Sequence, residues 1–117
     1  MGHNMALGRF GEDLAVRHWR EQGLVILDRN WRCDVGEIDI VAREADVLVV
    51  CEVKTRRTTG FGSPLEAVTQ AKAQRLLRLA ACWLREHRLP PVEVRVDLVG
   101  VVGTGPEAAI EYVRSAL

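Results

Sequence analysis

The chain has 117 residues, of which 48% are apolar, and its 16 basic residues balance 16 acidic ones to give no net formal charge. This length predicts a single domain over residues 1–117 that can bury a core of its own. The neutral balance excludes a global positive field that would draw the chain to nucleic acid, so any such contact must come from a local patch.

The chain contains three cysteines, which are odd in number and lack the CxxC spacing of a metal site. They argue against both a disulfide framework and a zinc knuckle. No apolar run approaches the ~18 residues of a membrane span, and the N-terminus has no apolar segment typical of a signal peptide. We therefore expect a cytoplasmic protein that makes no membrane contact.

The first predicted elements are a helix over residues 7–22 and a short apolar strand over residues 24–28. A polar connection over residues 29–35 follows them. Two β-like runs, residues 38–43 and 47–55, then predict a hairpin. The N-terminal half is thus predicted to be one helix followed by three strands.

The C-terminal half begins with two helix caps. The segment Ser63-Pro64-Leu65-Glu66 fits the cap and first turn of a short helix, and Thr69 fits the cap of a longer helix that runs to about His87. Strands over residues 92–102 and 109–113 complete the chain. This order of elements predicts a mixed β-sheet flanked by helices, in the α/β class on the border of α+β.

The register of the predicted hairpin sets charged side chains against each other. A turn at Ala45-Asp46 places Asp39 opposite Glu52 and Glu37 opposite Lys54, with the Cβ atoms of opposed residues ~5 Å apart. Glu52 and Lys54 share a face because side chains alternate along a strand. Ala-Asp is a weak two-residue loop, but a four-residue loop keeps the same pairing. The opposite face carries only apolar side chains: Ile38, Ile40, Ala42, Val49, Cys51 and Val53.

Two carboxylates and an amine at one place suit the hydrolysis of a phosphodiester bond. Hard cations such as Mg²⁺ take oxygen ligands, which Asp39 and Glu52 supply, with the Val53 carbonyl as a third candidate ligand. Lys54 can position the attacking water or stabilise charge on a phosphate. Glu12, on the first predicted helix, is a candidate for a further catalytic carboxylate.

A set of cross-strand salt bridges on a solvated sheet face is the alternative for Asp39, Glu52 and Lys54. That face also carries apolar residues such as Val41 and Val50, so we expect it to be covered. A covered pair of carboxylates needs a cation or a proton, because an unpaired buried charge is costly. The covered face therefore favours the metal site.

Two other acidic residues near this site have simpler alternatives. Glu12 can equally be an ordinary carboxylate on a helix surface, although its small neighbours Gly8 and Ala15 let a helix approach the sheet closely. Glu37 is expected to neutralise Lys54 rather than to bind the metal.

Basic residues beside the predicted strand are candidates for contact with nucleic acid. Arg56 and Arg57 follow it directly and can bind phosphate, with a solvated loop as the alternative. Lys72 lies in the first turn of a helix whose N-terminus favours anions, which makes it a further candidate for phosphate contact. Phe61, in a glycine-flanked loop, is a candidate for base stacking.

The pattern of these residues resembles the YraN-type family of small bacterial proteins from about residue 7 to residue 102. That family is in turn similar to PD-(D/E)XK nucleases, especially Holliday-junction resolvases. The order of the matching motifs is specific. They are Gly11-Glu12, Asn30-Trp31-Arg32, Gly36-Glu37-Ile38-Asp39, Glu52-Val53-Lys54-Thr55-Arg56, Pro64 to Val68, Lys72 and Val96-Asp97.

The resemblance implies a restriction-endonuclease-like fold, dependence on Mg²⁺ or Mn²⁺, and a DNA substrate. Glu12, Asp39, Glu52 and Lys54 match the resolvase catalytic positions, and Lys72 more weakly matches a basic helix residue. Resolvase-like nucleases commonly pair as two-fold dimers to cut two strands, so the analogy extends to a homodimer.

The leading hypothesis is a metal-dependent endodeoxyribonuclease that hydrolyses phosphodiester bonds, with branched DNA as the resolvase-like substrate. The main alternative is a non-catalytic nucleic-acid-binding or DNA-processing accessory protein that kept the nuclease fold. A plain scaffold domain with a cross-strand ion cluster is the third, and it predicts neither metal nor DNA binding. Function belongs to the site rather than to the fold, so the geometry of the site must separate these hypotheses.

Overall fold

The computed structural model describes residues 2–58, 60 and 62–117. The strands form one five-stranded sheet in the order β1-β2-β3-β4-β5, antiparallel except for the parallel pair β3–β4. This mixed sheet with two helices confirms the predicted α/β class. The elements are α1 Gly2–Glu21, β1 Val25–Cys33, β2 Gly36–Glu44, β3 Val47–Arg56, a 3₁₀ turn Pro64–Ala67, α2 Gln70–Glu86, β4 Val94–Val102 and β5 Ala109–Val113.

The prediction of a polar connection over residues 29–35 is wrong, because β1 continues to Cys33. Trp31 pairs with Ile38 of β2 and is only 9% exposed. Its indole Nε1 donates a hydrogen bond to Glu86 Oε2 of α2 at 2.6 Å. β1 is an edge strand with many polar side chains toward solvent, so its sequence lacks the apolar run of a central strand.

The predicted hairpin register is confirmed where the two strands pair. The β2–β3 ladder runs from Glu44 opposite Val47 to Ile40 opposite Cys51. The connection is the two-residue turn rather than the longer loop, with Ala45 at a φ of 51°. That left-handed conformation matches the twist of a tight hairpin, which explains how an unfavourable turn sequence still closes the ladder.

The two backbone pairs expected beyond this ladder do not form. Asp39 instead accepts a hydrogen bond from the Val53 backbone N–H at 2.9 Å, so a side chain replaces the ladder contact. Glu37 forms an ion pair with Arg32 of β1 at 2.8 Å. The expectation that Glu37 neutralises Lys54 is therefore wrong, because this part of β2 stays paired with β1 while β3 separates from it.

Both faces of the sheet are covered, one by each helix, as the apolar alternation along β3 requires. The cluster on the α2 side contains Ile38, Val41, Leu48, Val50, Val96, Leu98, Leu76, Leu79, Ala80 and Trp83. The cluster on the α1 side contains Ile40, Ala42, Val49, Cys51, Val99, Val101, Ala15, Val16 and Trp19. Ile38 thus packs on the α2 side and not on the face where alternation placed it, since regular β2–β3 pairing ends at Ile40.

The predicted caps determine where α2 begins. Ser63 Oγ accepts a hydrogen bond from the Leu65 N–H at 3.2 Å, although the turn that it caps is a 3₁₀ turn rather than an α-helix. Thr69 Oγ1 accepts one from the Lys72 N–H at 3.1 Å. This cap holds the first turn of α2, and with it the Lys72 side chain, beside the sheet.

A buried network at the other end of β4 anchors the C-terminal part of the chain. The Asp97 carboxylate is fully buried and accepts hydrogen bonds from Arg95 Nε at 2.9 Å, Tyr112 OH at 2.5 Å and the Ser115 N–H at 3.1 Å. Arg95 also donates to Glu44 Oε1 at 2.6 Å. These groups satisfy one another, so this network has a structural role separate from Asp39 and Glu52.

Gly11, rather than Gly8, lets α1 approach the sheet. A Cβ atom at Gly11 would lie 1.9 Å from Oγ1 of Thr55 in β3, whereas a Cβ atom at Gly8 would meet nothing within 4 Å. The expectation that Gly8 provides the close approach is therefore wrong. The Gly11 contact determines how close the next residue, Glu12, lies to β3.

Gly11→Ala is expected to lower the free energy of unfolding by about 1–3 kcal/mol, because α1 must move away from Thr55 to admit the methyl group. Gly8→Ala is the matched control, since it adds the same methyl group without a clash and should raise stability by up to about 1 kcal/mol through helix propensity. Urea unfolding of both variants measures the difference. Equal stability of the two variants would show that α1 does not pack on Thr55.

Candidate active site

Asp39 and Glu52 line one cavity of about 240 Å³ between the sheet and the first turns of α2. The cavity lies where β3 separates from β2, just beyond the last pair of their ladder. Its other lining residues come from the start of β2 and from one face of α2: Gly36, Glu37, Lys72, Arg75, Leu76 and Leu79. The two predicted carboxylates therefore converge, although their backbones are not paired.

Asp39 is a carboxyl group in an unfavourable environment for negative charge. Burial is the largest cause of a rise in its pKa from 3.8 to about 7, and the charges of Glu52, Glu12 and Glu37 contribute to the same rise. The hydrogen bond from the Val53 N–H opposes this shift. A carboxyl group in such a position holds either a proton or a cation near neutral pH.

Glu52 carries the positive partners of the site. Its side chain is 9% exposed, and Oε1 lies 3.1 Å from Lys72 Nζ and 3.4 Å from Lys54 Nζ. One carboxylate is therefore shared by two amines, one from β3 and one from α2.

Glu12 approaches the same cluster from α1. Its charge is among those that raise the pKa of Asp39, and its Oε1 lies 3.6 Å from Arg29 of β1. Arg29 binds Asp13 more closely, at 2.8 Å. Glu12 is thus not an isolated surface carboxylate, and its charge acts on Asp39 from α1, the helix on the opposite face of the sheet from Lys72.

The donor set fits an open magnesium site better than a closed cage. Within residues 2–58, 60 and 62–117, no three Asp, Glu, His or Cys side chains are arranged to hold a metal ion by themselves. Mg²⁺ is commonly held by one or two carboxylates together with waters and substrate phosphate. The carbonyl of Val53 faces β2 together with its N–H, since both point to one side of an extended strand. Asp39, Glu52 and this carbonyl therefore provide three oxygen ligands for Mg²⁺, and waters and a substrate phosphate would complete its coordination.

The remaining predicted residues lie elsewhere. Arg57 lines a separate cavity of about 220 Å³ with residues of α1, and the Arg56 carbonyl accepts a hydrogen bond from Gly103 at 2.9 Å. Phe61 lies outside the described residues. Arg75, which the sequence reading missed, lines the Asp39 cavity. Arg75 lies one helical turn after Lys72, and this three-residue spacing predicts that the two side chains lie on the same side of α2.

Among the described residues, neither α1 nor α2 combines the length and the apolar character that a membrane-spanning helix requires.

A family model described as uncharacterised protein family UPF0102 matches residues 11–101. This range contains all the residues that converge on the candidate site.

Several relatives are similar to this chain over most of their length. A UPF0102 protein of Rhodococcus opacus is 52% identical over 117 residues, covering 99% of both chains. One of Acidothermus cellulolyticus is 52% identical over 122 residues, covering 95% of this chain and 92% of the relative. One of Streptomyces griseus is 60% identical over 98 residues, covering 83% and 82%.

Proposed function

The chain belongs to the UPF0102 (YraN) family, and from that premise and the geometry of the cluster we propose that it is a metal-dependent endodeoxyribonuclease of restriction-endonuclease-like fold. The observation that carries the proposal is the half-buried Asp39 carboxyl, which lines one cavity with Glu52. Its partial burial and the like charge of Glu52 raise the Asp39 pKa to about 7. A bound cation would stabilise the two neighbouring carboxylates in their charged form, which makes this cluster a candidate functional site.

Each residue of the cluster has a defined part in the proposed reaction. Asp39, Glu52 and the Val53 carbonyl would hold Mg²⁺ or Mn²⁺. The bound ion would polarise a phosphoryl oxygen and lower the pKa of a water. Lys54 Nζ, 3.4 Å from Glu52, positions the attacking water or stabilises charge on the phosphate. Glu12 assists from α1 by orienting that water.

The basic residues around the cavity recognise the substrate in this proposal. The Lys72 ammonium lies 3.1 Å from Glu52. With a cation held at Glu52, this ammonium would turn to form an ion pair with a substrate phosphate. Arg56 and Arg57 contact phosphates further along the strand. The proposed substrate is DNA, with branched DNA and a homodimeric enzyme as the arrangement expected of a resolvase-like nuclease.

The proposal predicts metal-dependent cleavage of labelled DNA. Purified protein is incubated with four-way junction, flap and linear duplex DNA in Mg²⁺, Mn²⁺ or chelator. Cleavage should require the metal and fall at least about 10³-fold in Glu52→Gln, because this change removes a charge that holds the ion and orients its chemistry.

Glu107→Gln is the control for this experiment, since it removes the same charge from an exposed residue of the turn before β5. It should cleave as the unsubstituted protein does. Cleavage that persists unchanged in Glu52→Gln would refute the assignment of the active site.

The two lysines at Glu52 also support the rival function of a non-catalytic nucleic-acid-binding protein. They compensate Glu52 without any metal, at 3.1 and 3.4 Å, so the cluster could serve the fold alone. Titration calorimetry separates the two functions. No heat with millimolar Mn²⁺, together with DNA binding that survives chelator, would support the accessory protein.

A further inference from the structure

Two adjoining cavities of about 520 and 610 Å³ lie between α1 and β1. Both are lined by Asp13 and Arg29, so they are neighbours, and we call the two together the α1–β1 groove. Five arginines line it against three acidic residues, although the whole chain has no net charge. The arginines are Arg9, Arg17, Arg20, Arg29 and Arg32. The groove therefore carries an excess of positive charge that the chain as a whole does not have.

Three of these arginines are exposed and form no ion pair within the described part of the chain. Arg9, Arg17 and Arg20 are exposed, and none of them forms an ion pair with another described residue, whereas Arg29 and Arg32 are paired. Their spacing along α1 keeps them on one face of the helix at 3.6 residues per turn. An exposed guanidinium without an internal partner remains available for an external anion.

The groove reaches the candidate active site through β1 and α1. Glu12, whose charge helps to raise the pKa of Asp39, also lines the groove. In the β1–β2 ladder, Arg29 pairs with Ile40 and Trp31 pairs with Ile38, so the groove residue Asn30 lies beside Asp39. A chain bound in the groove would therefore lie along the strand that neighbours Asp39.

The length of the arginine row suits a nucleic-acid backbone. Arg9 and Arg20 are separated by about 16 Å along α1, from the helical rise of about 1.5 Å per residue. One strand of B-DNA presents a phosphate about every 3.4 Å along its axis, so the row spans about five phosphates. Guanidinium groups bind phosphate oxygens with charge-assisted, often bidentate, hydrogen bonds.

We propose that the α1–β1 groove binds the phosphate backbone of the DNA on one side of the scissile bond, through Arg9, Arg17 and Arg20. This inference rests on the proposed nuclease function, whose site it extends. Arg29 and Arg32 form the inner end of the track next to Glu12. The track lies beside α1, on one face of the sheet, whereas Lys72 and Arg75 line the cavity on the α2 face.

The test compares two triple variants that lose the same charge. The groove variant removes the three exposed arginines of the groove by Arg9→Gln, Arg17→Gln and Arg20→Gln. The α2 variant removes three exposed arginines on and after α2 by Arg78→Gln, Arg85→Gln and Arg88→Gln. Binding of a fluorescent duplex is measured by anisotropy in chelator over a range of salt. The groove variant should bind about 100-fold more weakly at low salt, and its salt slope should fall by about three. The α2 variant should lose only a few-fold.

Calorimetry with Mn²⁺ and circular dichroism complete the test, and both should be unchanged in the groove variant. An equal loss of DNA binding in the two triple variants would refute the groove as the binding site, because binding would then depend only on the total charge of the protein. Unchanged DNA binding in the groove variant would overturn it while leaving the nuclease intact. Preference for single-stranded RNA that depends on the groove would overturn the choice of DNA. Groove-dependent DNA binding without Mn²⁺ binding would support the groove and refute the nuclease.

Discussion

Asp39→Asn is expected to make the metal-free protein more stable at pH 8 by about 2–4 kcal/mol. In the folded protein the pKa of Asp39 is about 7, against an ordinary value of 3.8, so folding favours the protonated form. The stability from this group is fully present below pH 3.8 and is lost as the pH rises through 7. Asparagine stays neutral at every pH and still accepts the Val53 N–H, so it avoids that loss.

Urea unfolding in chelator at pH 5 and pH 8 measures the effect. The advantage of Asp39→Asn over the unsubstituted protein should grow between the two pH values, whereas Asp46→Asn in the exposed hairpin turn should show no such growth. Adding Mn²⁺ should stabilise the unsubstituted protein and not Asp39→Asn, because ligand binding to the folded state raises its stability. If the difference in stability between Asp39→Asn and the unsubstituted protein were the same at both pH values, the raised pKa of Asp39 would be contradicted.

Lys54→Met is expected to lower the rate of DNA cleavage by about 10²–10⁴-fold while leaving Mn²⁺ binding equal or tighter. Its Nζ lies 3.4 Å from Glu52, so its loss removes the group that positions the water, a contribution of this size in acid–base catalysis. It also removes a positive charge that opposes the metal. Single-turnover cleavage and calorimetry measure the two effects separately.

Lys72→Met is the matched comparison, since it removes the other ammonium from the same Glu52 oxygen at 3.1 Å. We expect it to weaken DNA binding, and so to raise KM more than it lowers kcat. If both variants lower kcat equally and leave KM unchanged, the two lysines act as one unit, and the separate roles assigned to them are wrong.

Local patterns in the sequence predict most of the secondary structure. The cap at Thr69 and the bounds of β5 follow from short-range chemistry, which is the same in a peptide as in the fold. The β2–β3 register follows from apolar alternation, because a slip by one residue would expose every core side chain from Ile40 to Cys51. These features needed no knowledge of distant residues.

The candidate site could be predicted only in part. Asp39, Glu52 and Lys54 are adjacent through a hairpin, so a two-residue period brings them near one another. Glu12 and Lys72 lie on separate helices, and no local pattern states how far such side chains reach across a sheet.

The sequence alone determined the strand register, the main helices and the acidic pair, since these depend on contacts between neighbouring segments. The tertiary structure decided that the ladder ends before Asp39, that Gly11 meets Thr55, and that Lys72 shares Glu52 with Lys54. The same packing of α1 beside β1 created the arginine groove. The physical reason is that these contacts join residues far apart in the chain, whose distances are set by the packing of whole helices on the sheet.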